Sequence, residues 1–458
     1  MWRSLFRIKP IEIEEGQESL KRCLTAFDLT LLGIGAIIGA GIFVITGVAA
    51  ATKAGPAIML SFVFAGMAAM FAALAYAELA ASIGGCGSAY SYAYSAFGEL
   101  IAWIIAWNLL LEYALGISTV AIGWSGYVNN VFQAMNIQLP PALINSPFDG
   151  EGGKINLLAM GIVLVLSGLL IMGVKHTARF NAAVVFTKLV AIATFIVIAA
   201  FNVNIANWQN FFPFGWEGVM EGAALVFFAY IGFDALSTAV EETIEPQKNV
   251  PLGIMFSLVI CTLLYIIVSG LLTGIVSYTS LNVESPIAEA LLKIAHPYAA
   301  GFIGAGAIAG LISVMLVLYY GLTRILLAVS RDGLMPPFFA VVNDKTQTPV
   351  RGVVIAGLLI APVAGLLPID RAAELVNIGT LTAFTCVCAG IIYLRIKKPD
   401  MHRPFRMPFN PVFPLLGVFS CLYLMYSLPA VTWWRFIIWT VIGILIYFSY
   451  GYKHSKFA

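Results

Sequence analysis

Apolar segments of about 20 residues recur along the whole chain and leave few alternatives to a helical membrane protein. Hydrophobic residues make up 60% of the 458 positions, and only 10% are charged. This composition excludes a soluble globular protein and a disordered chain. A bilayer core of about 30 Å needs roughly 20 apolar residues per helix. The pattern therefore predicts twelve spans, at 26–50, 57–83, 98–128, 155–174, 181–201, 217–240, 251–277, 300–330, 351–368, 372–394, 412–429 and 431–451.

The placement of lysine and arginine predicts that both termini lie in the cytoplasm. With twelve spans, 19 of the 25 basic residues fall in inner connections or termini and five in outer connections, while Lys188 lies within a span. Cytoplasmic loops of membrane proteins carry such an excess of basic residues. We also expect an outer loop at about 129–154 and a short amphipathic helix at 285–296.

Charge and side-chain usage speak against several other kinds of site. The net charge of +2 gives no reason to expect a nucleic acid partner, and four scattered histidines argue against a histidine-based metal site. The six cysteines fall in predicted helices or on the cytoplasmic side, so we expect reduced thiols.

The first span contains five glycines in the segment LLGIGAIIGAGIFVITG, residues 31–47. Each glycine weakens a helix, which a simple membrane anchor has no reason to accept. We expect the helix to be interrupted near Gly39, Ala40 and Gly41. Lipid cannot satisfy the backbone groups that a break frees, so such a break belongs beside a cavity or a ligand. The segment therefore predicts that something small and polar binds inside the bilayer.

A second interruption is expected in span six, within residues 228–234, where Gly232 and Asp234 interrupt an apolar run. Interrupted helices at matching positions of two halves are typical of transporters built from inverted repeats, with the site between the breaks. The alternative is that both are intact, glycine-rich helices that pack closely. Sequence similarity between the two halves is too weak to establish a repeat.

An ordered set of motifs runs from about residue 25 to 450. The motifs are GIGAIIGAGIF at 33–43, AYAELAASIGGCGSAYSY at 75–92, WNLLLEY at 107–113, FFAYIGFDALSTAVEET at 227–243, EPQKNVPLGI at 245–254, SRDGLMP at 330–336 and LRIKKPDMHRPFRMP at 394–408. Together they resemble the amino acid–polyamine–organocation superfamily, most closely bacterial members of its cationic amino acid transporter branch. One departure is Gly84, where that family usually has proline.

The resemblance implies an all-α integral membrane protein in which spans 1–5 and 6–10 form two inverted five-helix repeats, followed by two extra helices. It also implies secondary active transport of an amino acid by alternating access, at the cell membrane. The expected organisation is a cytoplasmic N-terminal segment at 1–25, a transporter core at 26–394, a basic cytoplasmic loop at 395–411, and spans 11 and 12 with a cytoplasmic C-terminus at 412–458.

An α-amino acid presents a carboxylate and an ammonium group, and two broken helices offer groups for both. Amides at a helix N-terminus suit the carboxylate, and the resemblance assigns the carbonyls of Ile37, Phe228 and Ile231 to the ammonium group. Alignment with relatives puts Leu318 at the side-chain end, which favours a small or medium neutral substrate. The residues expected at the substrate site are Ile37, Gly39, Ala40, Gly41, Phe228, Ala229, Ile231 and Leu318.

Two ionisable residues at membrane depth are candidates for proton coupling. Lys188 lies in span five, where a charge costs at least about 2.5–3.5 kcal/mol, so such residues are usually functional. In relatives that resemble this chain, the matching lysine points at the first break and replaces a sodium ion, so sodium is not expected. The alternative is a lysine held by backbone carbonyls without a proton cycle. Glu112 in span three is either a protonatable partner or a helix-to-helix hydrogen-bonding group.

Three acidic residues near the inner ends of helices are gate candidates. Asp28 is expected to cap span one or to pair across an inner gate, and Glu78 to belong to a gate or a packing contact. Glu241 is either a gate residue or a solvated charge at the end of span six.

The favoured function is proton-coupled uptake of a small or medium neutral L-amino acid such as alanine, with a cationic amino acid permease or an exchanger as the alternative. A channel would need a continuous polar stripe or rings of charge, and an enzyme would need a catalytic cluster, and neither is visible. A sensor protein with the shape of a transporter is a further alternative. Exchangers of this superfamily carry a linking cysteine after span three, and residues 129–154 contain none, so no disulfide-linked subunit is expected. No cofactor is expected beyond the coupled proton.

Overall fold

The computed structural model describes residues 7–9, 24–83, 87–148, 152–172, 175–283, 285–343, 346 and 348–457. In this part of the chain the structure is helical, and the one β-type contact is an isolated parallel bridge between Leu24 and Thr243. The α-helices are α1 (Ala26–Ile37), α2 (Thr46–Ala49), α3 (Ile58–Ile83), α4 (Ala89–Phe97), α5 (Glu99–Ala134), α6 (Leu157–Ile171), α7 (Lys175–Ala200), α8 (Gly215–Val226), α9 (Pro246–Ile275), α10 (Pro286–Lys293), α11 (Pro297–Arg331), α12 (Val350–Leu366), α13 (Ile369–Lys397), α14 (Val412–Tyr426), α15 (Ala430–Ile446) and α16 (Tyr452–His454).

Shorter helical turns join or extend these helices. The π-helical turns are Gly41–Ile45, Ala50–Ala54 and Tyr447–Gly451. The 3₁₀ turns are Gly55–Ala57, Pro141–Leu143, Ile205–Trp208, Phe227–Tyr230, Phe233–Glu242, Tyr278–Ser280 and Pro337–Ala340.

The helical segments have the lengths and composition of membrane spans. Among the described residues, eight are long and apolar enough to cross a bilayer, and three shorter apolar helices are α6, α12 and α14. The first long segment runs from Ala26 to Ile83 and contains the residues of both the first and the second predicted span. The all-helical part of the predicted fold class is therefore confirmed for the described residues.

The structure differs from the sequence-based boundaries at two connections. Helix α5 continues to Ala134, so the outer connection begins later than residue 129. Helix α4, between the second and third spans, was not predicted as a separate element. The short helix expected at 285–296 is confirmed as α10.

Small residues let the central helices approach closely. A Cβ atom at Gly41 would lie 2.3 Å from the Cα atom of Ala229, so only glycine fits there. A Cβ atom at Gly306 of α11 would lie 2.6 Å from that of Ala191 in α7. Such contacts replace the hydrophobic driving force, which is weak between helices in lipid.

The cysteines in the described part of the chain are free thiols, namely Cys261, Cys386, Cys388 and Cys421. Cys23 and Cys86, like Gly84, lie outside the described residues.

Candidate functional site

The first helical segment is interrupted where the glycines predict it. Helix α1 ends at Ile37, and Ile38 has an extended backbone conformation with φ −75° and ψ 99°. The chain is helical again at Ala40, which precedes the π-helical turn Gly41–Ile45. Because the first amides of a helix have no acceptor within it, this restart offers N–H groups and a partial positive charge to an anion.

A second interruption follows α8. The 3₁₀ turn Phe227–Tyr230 ends at Ile231, which is extended with ψ 138°. Gly232 then adopts φ +119°, a conformation that strains other L-residues, and the helical path resumes at Phe233. The amide of Gly232 donates a 3.1 Å hydrogen bond to Oδ1 of Asp234, so this acid stabilises the restart.

The two interruptions lie against each other. Gly41 packs directly on Ala229, and a Cβ atom at Gly232 would lie 3.0 Å from the backbone of Ala36. The hydroxyl of Tyr265 in α9 lies within hydrogen-bond distance of two carbonyl oxygens, that of Ile37 at 2.7 Å and that of Ala229 at 2.9 Å, which share its one proton. A single side chain therefore joins both breaks.

The structure brings together the substrate-site residues predicted from both interrupted helices, and all of them are buried. One difference concerns the free carbonyls. The Ile37 oxygen already accepts from Tyr265, and the Phe228 oxygen accepts a 3.3 Å hydrogen bond from the amide of Ile231. A carbonyl oxygen has two lone pairs, so each can still accept a second donor.

Lys188 of α7 reaches the first break from the side. Its side chain is fully buried, and Nζ donates to the carbonyl oxygens of Gly35, at 2.7 Å, and Ile38, at 2.8 Å. The stem of the side chain packs on α11, where a Cβ atom at Gly310 would lie 3.1 Å from Cδ of Lys188. An ammonium group has three donors, so one remains after these two bonds.

One face of α11 continues from Lys188 across the break. A Cβ atom at Gly39 would lie 2.8 Å from Cγ2 of Val314, and one at Gly116 of α5 would lie 3.2 Å from Cδ1 of Leu318. Val314 and Leu318 are one helical turn apart, so they share a face. Leu318 therefore lies against α5, on the same face of α11 that carries Val314 against the first break.

A buried acidic pair lies beside the second break. Neither carboxylate oxygen of Glu112 has a hydrogen-bond partner in the described part of the chain, and the nearby Thr380 donates instead to the carbonyl of Val376. Asp234 is also buried, and its Oδ2 accepts a 2.6 Å hydrogen bond from Tyr113. Buried carboxylates need partners or a proton, so this pair is suited to binding a proton or a cation.

Further unpartnered polar atoms occur in the same region. The amide of Asn108, one turn before Glu112, has no partner for either polar atom, and the hydroxyls of Tyr76 and Tyr92 have none within the described residues. The rings of Tyr76 and Tyr92 are in edge contact, with centroids 5.9 Å apart. Buried polar groups without partners are rare, and such a concentration indicates a functional region.

Sequence reasoning missed three residues that organise the site: Tyr113, Asp234 as a site residue, and Tyr265. Their signal is a polar side chain inside a run of apolar residues. For Tyr113 and Tyr265 that signal is weak, because tyrosine is also common in cores.

Two of the gate candidates have defined roles. Asp28 and Thr25 form a reciprocal cap at the start of α1, with N–O distances of 3.0 and 3.3 Å. Glu78 is buried and accepts from Arg395 Nε, at 3.1 Å, and the amide of Met407, at 2.7 Å. Glu78 therefore attaches the loop after α13 to α3, while the side chain of Glu241 lies outside the described part.

An ion pair that was not predicted joins the N-terminal segment to the C-terminal end of α11. Nζ of Lys9 lies 2.8 Å from Oδ1 of Asp332, and Tyr90 donates a 2.6 Å hydrogen bond to Oδ2 of the same acid. The C-terminal end of the chain also lies here, where the amide of Lys456 donates to the Asp332 carbonyl.

In the described residues, no group of three or more His, Cys, Asp or Glu side chains is arranged to hold a metal ion.

Comparison with known proteins matches this geometry to a family. Residues 24–447 match the family model described as "Amino acid permease". The chain is 48% identical to the methylthioribose transporter of Bacillus subtilis (strain 168) and 46% identical to its branched-chain amino acid permease BcaP, each over 99% of both chains. It is 36% identical to the vacuolar cationic amino acid transporter 4 of Arabidopsis thaliana, over 84% of this chain and 65% of that one.

These relatives are transporters rather than enzymes, and their similarity covers both interrupted helices and the helices around them. The chain belongs to the amino acid permease family, within the amino acid–polyamine–organocation superfamily of multi-pass membrane transporters.

Proposed function

We propose that the protein crosses the membrane twelve times, with inverted repeats in spans 1–5 and 6–10 and both termini in the cytoplasm. We propose further that it takes up a small or medium neutral L-amino acid, such as alanine, together with a proton. The observation that carries this proposal is the contact between the two interrupted helices, with Lys188 bound to the carbonyls of the first one.

The two breaks offer opposite partial charges over a short distance. The helix restart at Ala40 and Gly41 presents amide donors for a substrate carboxylate. The carbonyls of Phe228 and Ile231 and the second lone pair of Ile37 suit the ammonium group. Binding across both breaks would hold the helices in one relative arrangement, which is how a substrate promotes one state of an alternating-access cycle.

Lys188 and the pair Glu112–Asp234 are the proposed proton carriers. The Lys188 amine bridges two backbone carbonyls at the break, where a metal cation would otherwise find its ligands, so sodium is not needed. A buried lysine that changes its hydrogen-bond partners during transport can release and rebind a proton. Glu112, with both oxygens unpartnered among the described residues, is the second candidate.

Leu318 and Val314 are the basis of the neutral preference. Both are apolar and buried beside the first break, so a polar or charged side chain would lose its hydration there without compensation. Branched-chain substrates fit the same surface, in line with the relative named for them. A cationic substrate is the second candidate, because Glu112 could accept a guanidinium or ammonium group.

The test is uptake into sodium-free proteoliposomes with an imposed inward proton gradient. Labelled alanine, leucine, arginine and methylthioribose are compared, each with and without a protonophore. We expect alanine or leucine to accumulate above equilibrium only while the gradient lasts. Accumulation of arginine or methylthioribose alone would overturn the neutral amino acid assignment, and gradient-independent accumulation would overturn proton coupling.

Leu318→Ala tests the side-chain end of the site separately. Removing the branched side chain should raise uptake of larger amino acids relative to alanine. Val354→Ala, at an exposed position of α12, is the matched control. An unchanged ratio of leucine to alanine uptake would place the specificity elsewhere.

A further inference from the structure

A cavity of about 850 Å³ lies between the end of α5, the connection that follows it and α10. This volume is in the range of small-molecule sites. The cavity is separate from the interrupted helices and from the acidic pair. Its lining consists of Asn129, Asn130, Gln133, Asn136, Gln138, Leu139, Pro141, Ile144, Asn145, Val283 and Glu289.

Four amide side chains of this lining lack protein partners. No hydrogen bond involves the side chains of Asn129, Gln133, Asn136 or Gln138 within the described residues; Asn129 is 6% exposed, and the other three are exposed. Asn129 lines the cavity, so its amide is available to a bound molecule. Each amide offers two donors and an acceptor oxygen, which suits a ligand with several hydrogen-bonding groups.

The charge of the lining selects among such ligands. Among the described lining residues Glu289 is the one ionisable side chain, and it is half-buried. No cation lines the cavity within the described part of the chain. Lys293, one turn later on α10, acts on Glu289 but does not line the cavity, so the carboxylate still favours a ligand with an ammonium group over an anion.

The same cavity is connected to the first interrupted helix through α10. Nδ2 of Asn130 donates a 2.7 Å hydrogen bond to Oγ of Ser285, immediately before α10. Pro286 then packs on Gly47, since a Cβ atom at Gly47 would lie 2.4 Å from Cβ of Pro286. A ligand in the cavity therefore contacts the helix that covers the outer half of the first span.

We propose that this cavity is an external binding site for a small molecule that carries an ammonium group beside hydrogen-bonding groups. Glu289 would pair with the ammonium group, and Asn129 with Gln133 would bind the neighbouring polar atoms. The class includes amino acids and amino acid amides. The proposal does not depend on which substrate crosses the membrane.

The test uses Asn136→Cys in the full chain, in intact cells, with a membrane-impermeant maleimide. Labelling is measured with alaninamide or with lactamide, which has a hydroxyl in place of the ammonium group. If a bound ligand protects the thiol, the labelling rate falls by a factor of one plus the ratio of ligand concentration to Kd. At a ligand concentration of ten times Kd the rate therefore falls about tenfold. We expect alaninamide to protect the thiol and lactamide to protect it much less. Labelling of the chain without the Asn136→Cys substitution gives the background.

Glu289→Gln in the same Asn136→Cys background should abolish the protection by alaninamide. Glu221→Gln is the matched control, because Glu221 is another carboxylate outside the cavity and pairs with Lys53 at 2.7 Å. Equal protection by the two ligands, or protection that survives Glu289→Gln, would overturn the proposal. An introduced thiol that the maleimide cannot reach would do the same.

Gly41→Val separates this site from the one between the breaks. Gly41→Val is combined with Asn136→Cys. A normal labelling rate without ligand shows that the outer surface of this double variant is intact. Alaninamide should then still protect the introduced thiol fully. Loss of protection would mean that the central site caused it, which contradicts the external site. If transport fails but protection is retained, the substitution has disrupted only the central site, and the external site is supported. If Gly41→Val is not inserted, Asn129→Leu gives the test inside the cavity, where protection must fall.

Discussion

The phenol of Tyr113 donates a 2.6 Å hydrogen bond to the carboxylate of Asp234 and so joins α5 to the restart of the second interrupted helix. The other carboxylate oxygen accepts from the amide of Gly232 at the break itself. The ring of Tyr113 packs on α11, since a Cβ atom at Gly321 would lie 2.4 Å from it. Three helices therefore meet at one hydrogen bond between buried side chains.

Tyr113→Phe should destabilise the protein and slow transport. The ring is retained, but Oδ2 of Asp234 loses its donor, which costs about 1–3 kcal/mol for a buried acceptor. We expect a lower thermal transition in detergent and a reduced initial uptake rate. Tyr423→Phe, at an exposed tyrosine, should change neither. Equal behaviour of the two variants would show that the hydrogen bond has no role.

Gly41→Val should abolish uptake while insertion into the membrane stays normal. The new side chain would overlap the backbone of Ala229, 2.3 Å from the Cβ position, so the two breaks could not keep their contact. Substrate uptake and the amount of monodisperse protein are measured together. Gly161→Val is the control, because nothing lies within 4 Å of its Cβ position. Normal transport by Gly41→Val would contradict the site between the breaks.

Lys188→Ala should lose accumulation driven by a proton gradient. The carbonyls of Gly35 and Ile38 lose their donor, and the proposed proton carrier is gone. Uptake into sodium-free proteoliposomes with and without the gradient measures the effect. Lys53→Ala, at a half-exposed lysine on another helix, should keep gradient-driven uptake. Concentrative uptake by Lys188→Ala would rule out this lysine as the carrier.

Glu78→Gln should lower stability more than it changes substrate binding. Glu78 is buried between Arg395 and Arg403, with N–O distances of 3.1 Å for Arg395 Nε and 3.4 Å for Arg403 Nε. Breaking a buried ion pair costs up to about 3–5 kcal/mol. Glu221→Gln removes a more exposed pair, worth about 0–1 kcal/mol. Thermal unfolding and substrate Kd are compared, and a changed Kd with unchanged stability would make Glu78 a gate residue instead.

Several features were predictable because they depend on local sequence. Long apolar runs specify helices wherever lipid cannot satisfy the backbone. The break between Ile37 and Ala40 follows from the glycines around it, and the cap formed by Thr25 and Asp28 follows from their spacing. The positions of both interruptions were therefore accessible without a structure.

Other features depend on how distant helices pack. The partners of Lys188 lie 150 or more positions away along the chain, and those of Glu78 more than 300 away. Tyr265 gives only a weak signal in its own apolar segment, because the two carbonyl oxygens within reach of its hydroxyl belong to other helices. The cavity beside Asn129 forms only because α10 is positioned next to the end of α5.

The sequence by itself determined that this chain is a helical membrane protein with two interrupted helices, because apolar length and glycine placement act within a single helix. The tertiary structure decided which polar groups meet at those interruptions. In an apolar interior each buried donor and acceptor must find its partner across a helix interface. That choice depends on the register and spacing of the packed helices, which small residues such as Gly41 and Gly310 set.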